Sequence, residues 1–482
     1  MVVGFLSRTL NIREDGLRLL LCVLAGYPIA YVHRRVIYQR AYPIQYLFFV
    51  TVGTILYVFF CGYDVIHSYV VIFAAYLIVN LMTGMIESVV LAFVLFMGYL
   101  LVAYWFEESQ NYDINWTTPF CVLVLRLIGL VINVYDGVHM DNLKPDQRKV
   151  AIKKVPCLLE IAAFSFFYTG TFAGPQFNLA KFRAYIKGNW LDEKKRPRDS
   201  AIPEAWNRFS AGIIYMFINI GGSAWLPDSY FNTPEFYNQT FFWRWTWAVI
   251  WSRIVLCRYC AMWLLIEGSA IYNGLGYNGM NSRGDIRWDG VRDIDIWKWE
   301  TGHDFTSMVH SFNRGTNSWA RNNIMRRLRW MDSKPLAQLT TLTFLAIWHG
   351  FHLGYFIMFG TEFACVMAQE QLYSLIRRSP EWSDFLRKDS VRPLVTVFGR
   401  IIIVYTTGSA LLTFGLVTRK MWIGPVKSLY FGVYIIYFVA WPLLHRFLLN
   451  TLPLLPRDQV KEPTTTTEVT NRTASLISMK EP

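Results

Sequence analysis

Charge is scarce in this chain. Of its 482 residues, 17% are Asp, Glu, Lys or Arg, where soluble domains carry about 25%, and the mean hydropathy is +0.27. A soluble globular enzyme is therefore excluded, and lipid is the solvent to consider. Cysteine is sparse as well. The seven (Cys22, Cys61, Cys121, Cys157, Cys257, Cys260, Cys365) lie in or beside apolar segments, where a free thiol packs as a small hydrophobe, so no disulfide framework is implied. Cys257-Arg258-Tyr259-Cys260 has ligand-like spacing, but it sits in an apolar span without a second Cys or His pair, which favours core packing over a metal site. Met1 to Asp15 lacks the apolar core and cleavage site of a secretion signal, so the first span is expected to stay attached. No repeat of solenoid or transporter type stands out.

The uncharged runs set the fold class. A hydrocarbon core of about 30 Å needs roughly 20 apolar residues in a helix. Ala41 to Tyr63, Val65 to Ile86, Ser88 to Phe106, Phe209 to Pro227 and Pro335 to Thr361 contain no Asp, Glu, Lys or Arg, and Ile401 to Thr418 and Ser428 to Leu444 nearly match them. Leu17 to Val32, Thr118 to Tyr135, Val155 to Ala180 and Trp245 to Ile266 carry one or two ionisable residues each, among them Arg126 and Glu160. The expectation is an all-α, polytopic membrane protein with about eleven membrane elements over residues 1–452. From Pro453 a polar stretch with Pro456, Pro463 and four consecutive threonines reads as a disordered tail, residues 453–482.

The net charge of +13 is informative mainly through its distribution, because Lys and Arg collect in cytoplasmic loops. His33-Arg34-Arg35 and Arg40 mark one cytoplasmic loop, Lys144 to Lys154 another, and Glu107, Glu108 and Asp113 the opposite face. Val155 to Ala180 breaks the alternation, since basic residues follow it from Lys181 to Arg198. Gly170-Thr171-Phe172-Ala173-Gly174-Pro175 offers a cause, and a re-entrant hairpin buried in protein is expected there. Asn238-Gln239-Thr240, a glycosylation sequon, lies in a loop without Lys or Arg and reads as lumenal. The polar stretch from Asn273 to Lys334 is expected at the cytoplasmic face.

An ionisable side chain deep in a span is costly and marks function. His349 lies near the middle of Pro335 to Thr361, which places it near the midplane if that run crosses; the alternative is a ring satisfied by a neighbouring helix. His352, three residues on, would share its face. In Ser311-Phe312-Asn313-Arg314-Gly315-Thr316-Asn317-Ser318-Trp319, the two Asn residues four apart can share a helical face, although a cap or turn is the plainer reading. Arg321 to Met331 has helical amphipathic spacing, suited to the headgroup layer as an anchor or as a basic rim for a polyphosphate. Gly274-Leu275-Gly276-Tyr277-Asn278-Gly279 fits a dinucleotide pattern but follows a membrane span, not a strand, so a membrane-edge turn is the better account.

Asn313, followed 36 residues later by Trp348-His349-Gly350 within an apolar run, resembles the motif pair of the membrane-bound O-acyltransferase family. Trp116-Thr117-Thr118-Pro119, Tyr135-Asp136-Gly137, Gly174-Pro175-Gln176-Phe177 and the Gly274 to Gly279 segment add to the resemblance, which covers most of residues 100 to 360. It implies about eleven helices around a catalytic chamber, with re-entrant or broken segments. Acyl-CoA would enter this chamber from the cytosol, and the acceptor laterally or from the lumen. It also implies catalytic roles for His349 and Asn313, with Asn317, Trp319, Trp348 and His352 as substrate-binding neighbours. The implied reaction moves an acyl chain, of polyunsaturated type, from acyl-CoA to the free glycerol hydroxyl of a lysophospholipid such as lysophosphatidylcholine, as in phospholipid remodelling. No bound cofactor is implied, since acyl-CoA is a co-substrate. The implied partners are acyl-CoA, a lysophospholipid and membrane lipids, without nucleic acid, and the implied location is the endoplasmic reticulum membrane. Met479-Lys480-Glu481-Pro482 departs from the dilysine ending of related vertebrate enzymes. The oligomeric state is open, a homodimer being one arrangement. Sterol, diacylglycerol or protein acceptors stay open within the family, and a transporter is the competing class.

The residue types fit this chemistry. A neutral imidazole can take the proton of an attacking hydroxyl, an effect worth roughly 10²- to 10⁴-fold. An Asn amide can donate to the developing oxyanion or orient the hydroxyl. With no Ser or Cys in a recognisable nucleophile-base motif, direct transfer without an acyl-enzyme is expected.

Overall fold

The computed structural model describes residues 2–10, 13–107 and 114–456. Glu108 and Asp113 of the acidic loop and the polar tail from residue 457 onward lie outside the described residues. Within them the chain is helix, turn and loop, with two isolated bridges, Leu191 to Pro197 and Met280 to Ile286.

The frame consists of α1 (Glu14–Val32), α2 (Tyr42–Cys61), α3 (Val65–Leu81), α4 (Ile86–Glu107), α5 (Thr117–Val138), α6 (Leu158–Ser165), α7 (Leu179–Ile186), α8 (Ala201–Trp225), α9 (Phe241–Asn273), α10 (Phe305–Ser311), α11 (Arg314–Asn323), α12 (Lys334–His349), α13 (Leu353–Arg378), α14 (Arg392–Gly415) and α15 (Gly432–Thr451). Eight helical stretches among the described residues are long and apolar enough to cross a membrane, fewer than the expected eleven. One of them, Tyr42–Leu81, holds both α2 and α3, which meet at Gly62. The Val155 to Ala180 and Pro335 to Thr361 runs are each interrupted. A helix that is apolar on all sides must be buried on all sides or face lipid, and both cases occur. In α5, 89% of the apolar window is buried, whereas in α15 only 6% is, so α5 is a central helix and α15 turns its apolar surface outward. Exposed Ile55, Val94 and Phe217 on other helices continue that outward apolar surface.

The re-entrant segment is built as the Gly-Pro interruption suggests. After α6 the chain runs irregularly through residues 166–178, with a cis Gly174-Pro175 bond, before α7. Backbone carbonyls freed from a helix in a water-poor interior need donors. Arg126 supplies them from α5. Its guanidinium, 2% exposed, donates to the carbonyls of Phe164 (3.2 Å), Ser165 (3.3 Å), Pro175 (3.2 Å) and Gly170. It also sits 4.5 Å from the Phe177 ring centroid, an arrangement that favours a cation. Gly53 of α2 permits this packing, because a Cβ there would collide with the Phe166 carbonyl. Glu160 is neutralised by Arg183 at 2.7 Å.

Two expectations about helices are corrected. Pro335 to Thr361 is not one span: α12 stops at His349, and Gly350 (φ 122°) turns the chain into α13, a backbone conformation open to glycine alone without strain. Arg321 to Met331 is not one amphipathic helix, since α11 ends at Asn323 and two short 3₁₀ turns follow. Two of its arginines pair with carboxylates. Arg327 makes a two-point pair with the buried Asp136 of α5 (3.0 and 2.6 Å), and Arg326 pairs with Asp146 (2.8 Å).

Replacing Arg126 strands several carbonyls at once, each hydrogen bond to a charged donor being worth roughly 1.5–3 kcal/mol. Arg126→Ala should therefore destabilise the protein by more than about 3 kcal/mol. The check is thermal unfolding of both proteins in the same detergent, and an unchanged midpoint would contradict the role given to this guanidinium.

Candidate active site

A cavity of about 600 Å³ lies among α1, α4, α5, α8, α9, α10, α11, α12, α13 and α14, within the size range of small-molecule sites. His349, Asn313, Asn317, Trp348 and His352 all line it, so five of the six residues singled out in the sequence converge on one space. Trp319 does not: it is buried, lies over Gly129 of α5 and stacks on Phe344 of α12. The reason is its place on the face of α11 turned to the core, and the expected lining role is not seen.

His349 ends α12. Its Nδ1 lies 2.7 Å from the Leu345 carbonyl, one turn back. A carbonyl can only accept, so Nδ1 carries the proton and Nε2 keeps its lone pair. Trp348, Phe359, Phe414 and Tyr355 ring the imidazole, with centroids at 4.7, 5.1, 5.4 and 5.8 Å. Trp348 is fixed at both ends: its indole donates to the Cys121 carbonyl (2.9 Å), and its own carbonyl accepts from Tyr104 (3.1 Å). His352 is not on the helical face of His349, because the turn at Gly350 separates them; it caps α13 and packs edge-on to Tyr355 at 5.6 Å.

The two Asn residues play different parts. Asn317 donates to the carbonyls of Val309 and Phe312, each at 2.9 Å, and so closes the end of α10. Asn313 precedes α11 in the left-handed region (φ 48°, ψ 46°), and its side chain makes no capping bond. Asn tolerates this conformation better than other residues with a Cβ. The turn is held by Asp293, whose carbonyl accepts from Arg314 N–H (3.0 Å) and whose Oδ1 accepts from Gly315 N–H (2.9 Å). Asp293 is 4% exposed, and burial pushes its carboxyl up to about 7, against the Gly315 N–H, which favours the ionised form.

Asp293 and Glu362 both line the cavity and are not among the residues singled out above. Asp293 lies in the polar insertion with no spacing to mark it. Glu362 is the first charged residue after the uncharged run that ends at Thr361, and so reads as a boundary. Of the other motifs, Thr117, Thr118, Gly174 and Gln176 line the cavity, whereas Asp136 holds Arg327.

A carboxyl whose folded pKa exceeds its unfolded value contributes stability at low pH and loses it as pH rises through the folded value. Asp293→Asn keeps the acceptor oxygen and removes the ionisation. The variant should match wild type near pH 4, gain on it as pH rises to about 7 and keep a constant lead above that, by on the order of 2 kcal/mol. Thermal unfolding of both proteins at pH 5 and pH 8 measures it, and a pH-independent difference would count against it.

The membrane-bound O-acyltransferase family profile matches residues 101–416. The Caenorhabditis elegans protein named lysophospholipid acyltransferase 5 is 52% identical over 462 residues, covering 96% of this chain and 98% of its own. The Homo sapiens protein of the same name is 35% identical over 452 residues, covering 94% and 90%, and the lysophospholipid acyltransferase of Schizosaccharomyces pombe is 27% identical over 458 residues, covering 90% and 87%. The transporter reading is thereby set aside: this chain, a multi-pass membrane protein, belongs to the membrane-bound O-acyltransferase family.

Proposed function

We propose that the protein is a lysophospholipid O-acyltransferase that takes its acyl chain from acyl-CoA, with His349 as general base and Asn313, which lines the same cavity, as the assisting polar group. The observation that carries the reading is the Nδ1–H of His349 committed to Leu345, which reserves Nε2 for substrate in the cavity wall. The names and coverage of the relatives favour a lysophospholipid over a sterol, diacylglycerol or protein acceptor.

In this mechanism Nε2 accepts the proton of the lysophospholipid's glycerol hydroxyl as its oxygen bonds to the thioester carbonyl carbon. Asn313, free of capping duty, turns its amide N–H to the oxyanion that forms, a contact worth roughly 3 kcal/mol. Collapse breaks the carbon–sulfur bond, and the imidazolium returns its proton to the departing thiolate. Trp348 and His352 shape the wall around the imidazole. Asn317 supports the site by closing α10. The cavity thiols have other engagements: Cys121 donates to the Thr118 carbonyl at 3.1 Å and Cys365 lies beside Tyr437. Direct transfer needs neither. The proposed location is the endoplasmic reticulum membrane, with the basic 321–334 segment at the cytosolic face.

Protein in lipid nanodiscs, given a polyunsaturated or a saturated acyl-CoA and lysophosphatidylcholine or its serine, ethanolamine or inositol counterpart, should release free thiol and diacyl product in equal amounts. His349→Ala should lower kcat by about 10²- to 10⁴-fold while remaining folded. Equal turnover by the variant, or no lysophospholipid acylated by wild type, would sink the reading.

The two Asn residues should separate by assay. Asn313→Gly, which keeps the left-handed turn without strain, should stay as stable as wild type and lose about 10²-fold in kcat. Asn317→Ala should lower stability by about 1–3 kcal/mol, because two carbonyls lose their donor. Thermal unfolding and turnover on the same preparations decide, and the reverse pattern would exchange their roles.

A further inference from the structure

Glu362 is the acid in the cavity wall that the transfer chemistry leaves unused. It is half-buried, lines the cavity and makes no hydrogen bond or ion pair among the described residues. A carboxylate in a mostly apolar wall with no protein donor is open to a donor that arrives with the substrate.

Its position identifies that donor. α12 and α13 are antiparallel neighbours, tied at one end by Lys334 to Glu370 (3.0 Å) and joined at the other by the turn at Gly350. The Lys334 end follows the basic 321–334 segment and is the cytosolic one. Tyr355 and Phe359 of α13 touch the His349 ring, and Glu362 follows them on the same face, three residues or about 4.5 Å further toward the cytosolic end. It stands about 12 Å short of the level of Glu370. An acyl-CoA entering from the cytosol with its thioester at His349 would lay its pantetheine arm, which carries two amide N–H groups, along this stretch.

We propose that the Glu362 carboxyl accepts the amide N–H groups of that arm and so helps select coenzyme A thioesters as donors. The inference rests on the acyl-CoA reading above. Its signature is a split between substrates, because the acceptor lipid does not carry the arm. Glu362→Ala should raise KM for acyl-CoA and the inhibition constant of free coenzyme A about tenfold, while kcat and KM for the lysophospholipid change by less than about twofold. Glu362→Gln, which keeps an acceptor oxygen in the same place, should show a rise of only about two- to threefold in both. A raised KM for the lysophospholipid instead, an unchanged coenzyme A inhibition constant, or a fall in kcat alone would overturn the proposal. If Glu362→Ala does not fold, the coenzyme A inhibition constant of Glu362→Gln decides, and equality with wild type overturns it. Failure of wild type to release thiol from acyl-CoA would overturn the acyl-CoA reading itself, so the two failures are distinguishable.

Discussion

One guanidinium allows irregular backbone to exist in the middle of this molecule. Between α6 and α7 the chain leaves its helix in the buried core, and carbonyls released from the helical ladder there need other donors. Arg126 answers four of them from the central helix. The positive charge is stabilised in turn by those carbonyl dipoles and by the faces of Phe164 and Phe177. Each group would be costly alone, and together they form a rigid plug. Gly174 and Gln176, which close one side of the cavity, sit on that plug, so the shape of the site depends on a charge that never meets substrate.

An ion pair with a buried carboxylate anchors a second segment to the same central helix. Arg327 and Asp136 tie the turns after α11 to α5, and Asn313 immediately precedes α11. The helix that carries the Asn and the helix that carries Arg126 are thus referenced to one another. Asp293 adds a local clamp on the same turn. The polar insertion, although rich in charge, behaves as part of the core wherever it meets α5.

Much of this was legible in the sequence, for physical reasons. Long uncharged runs report solvent, whereas Asn313 and His349 were singled out as a pair by the resemblance to a family motif, and both line the cavity. The Gly-Pro interruption after α6 also announced itself, because proline and glycine act locally. What was hidden depends on distant partners. The break at Gly350 lies in an uninterrupted apolar run, where a single glycine is ordinary in a membrane helix, and only the folded chain shows that it turns. The amphipathic pattern from Arg321 to Met331 is real as a pattern, but Asp136, 191 residues away from Arg327, claims the charge. Trp319 sits in the conspicuous Asn motif yet faces the core. Glu362 ends an uncharged run, so a search for such runs treats it as an edge.

The bond from the His349 imidazole to Leu345 is made within a single helical turn. Many enzymes set the tautomer of a basic histidine with a carboxylate from another part of the chain, and must then preserve that second residue and the fold between the two. Here the orienting acceptor is a main-chain carbonyl, which any amino acid at position 345 would provide. In the proposed mechanism the proton-transfer unit is therefore one short piece of helix, which leaves the walls around it free to differ. A scaffold organised in this way can exchange one acyl chain or acceptor for another by changing its lining, while the reacting group stays where it is.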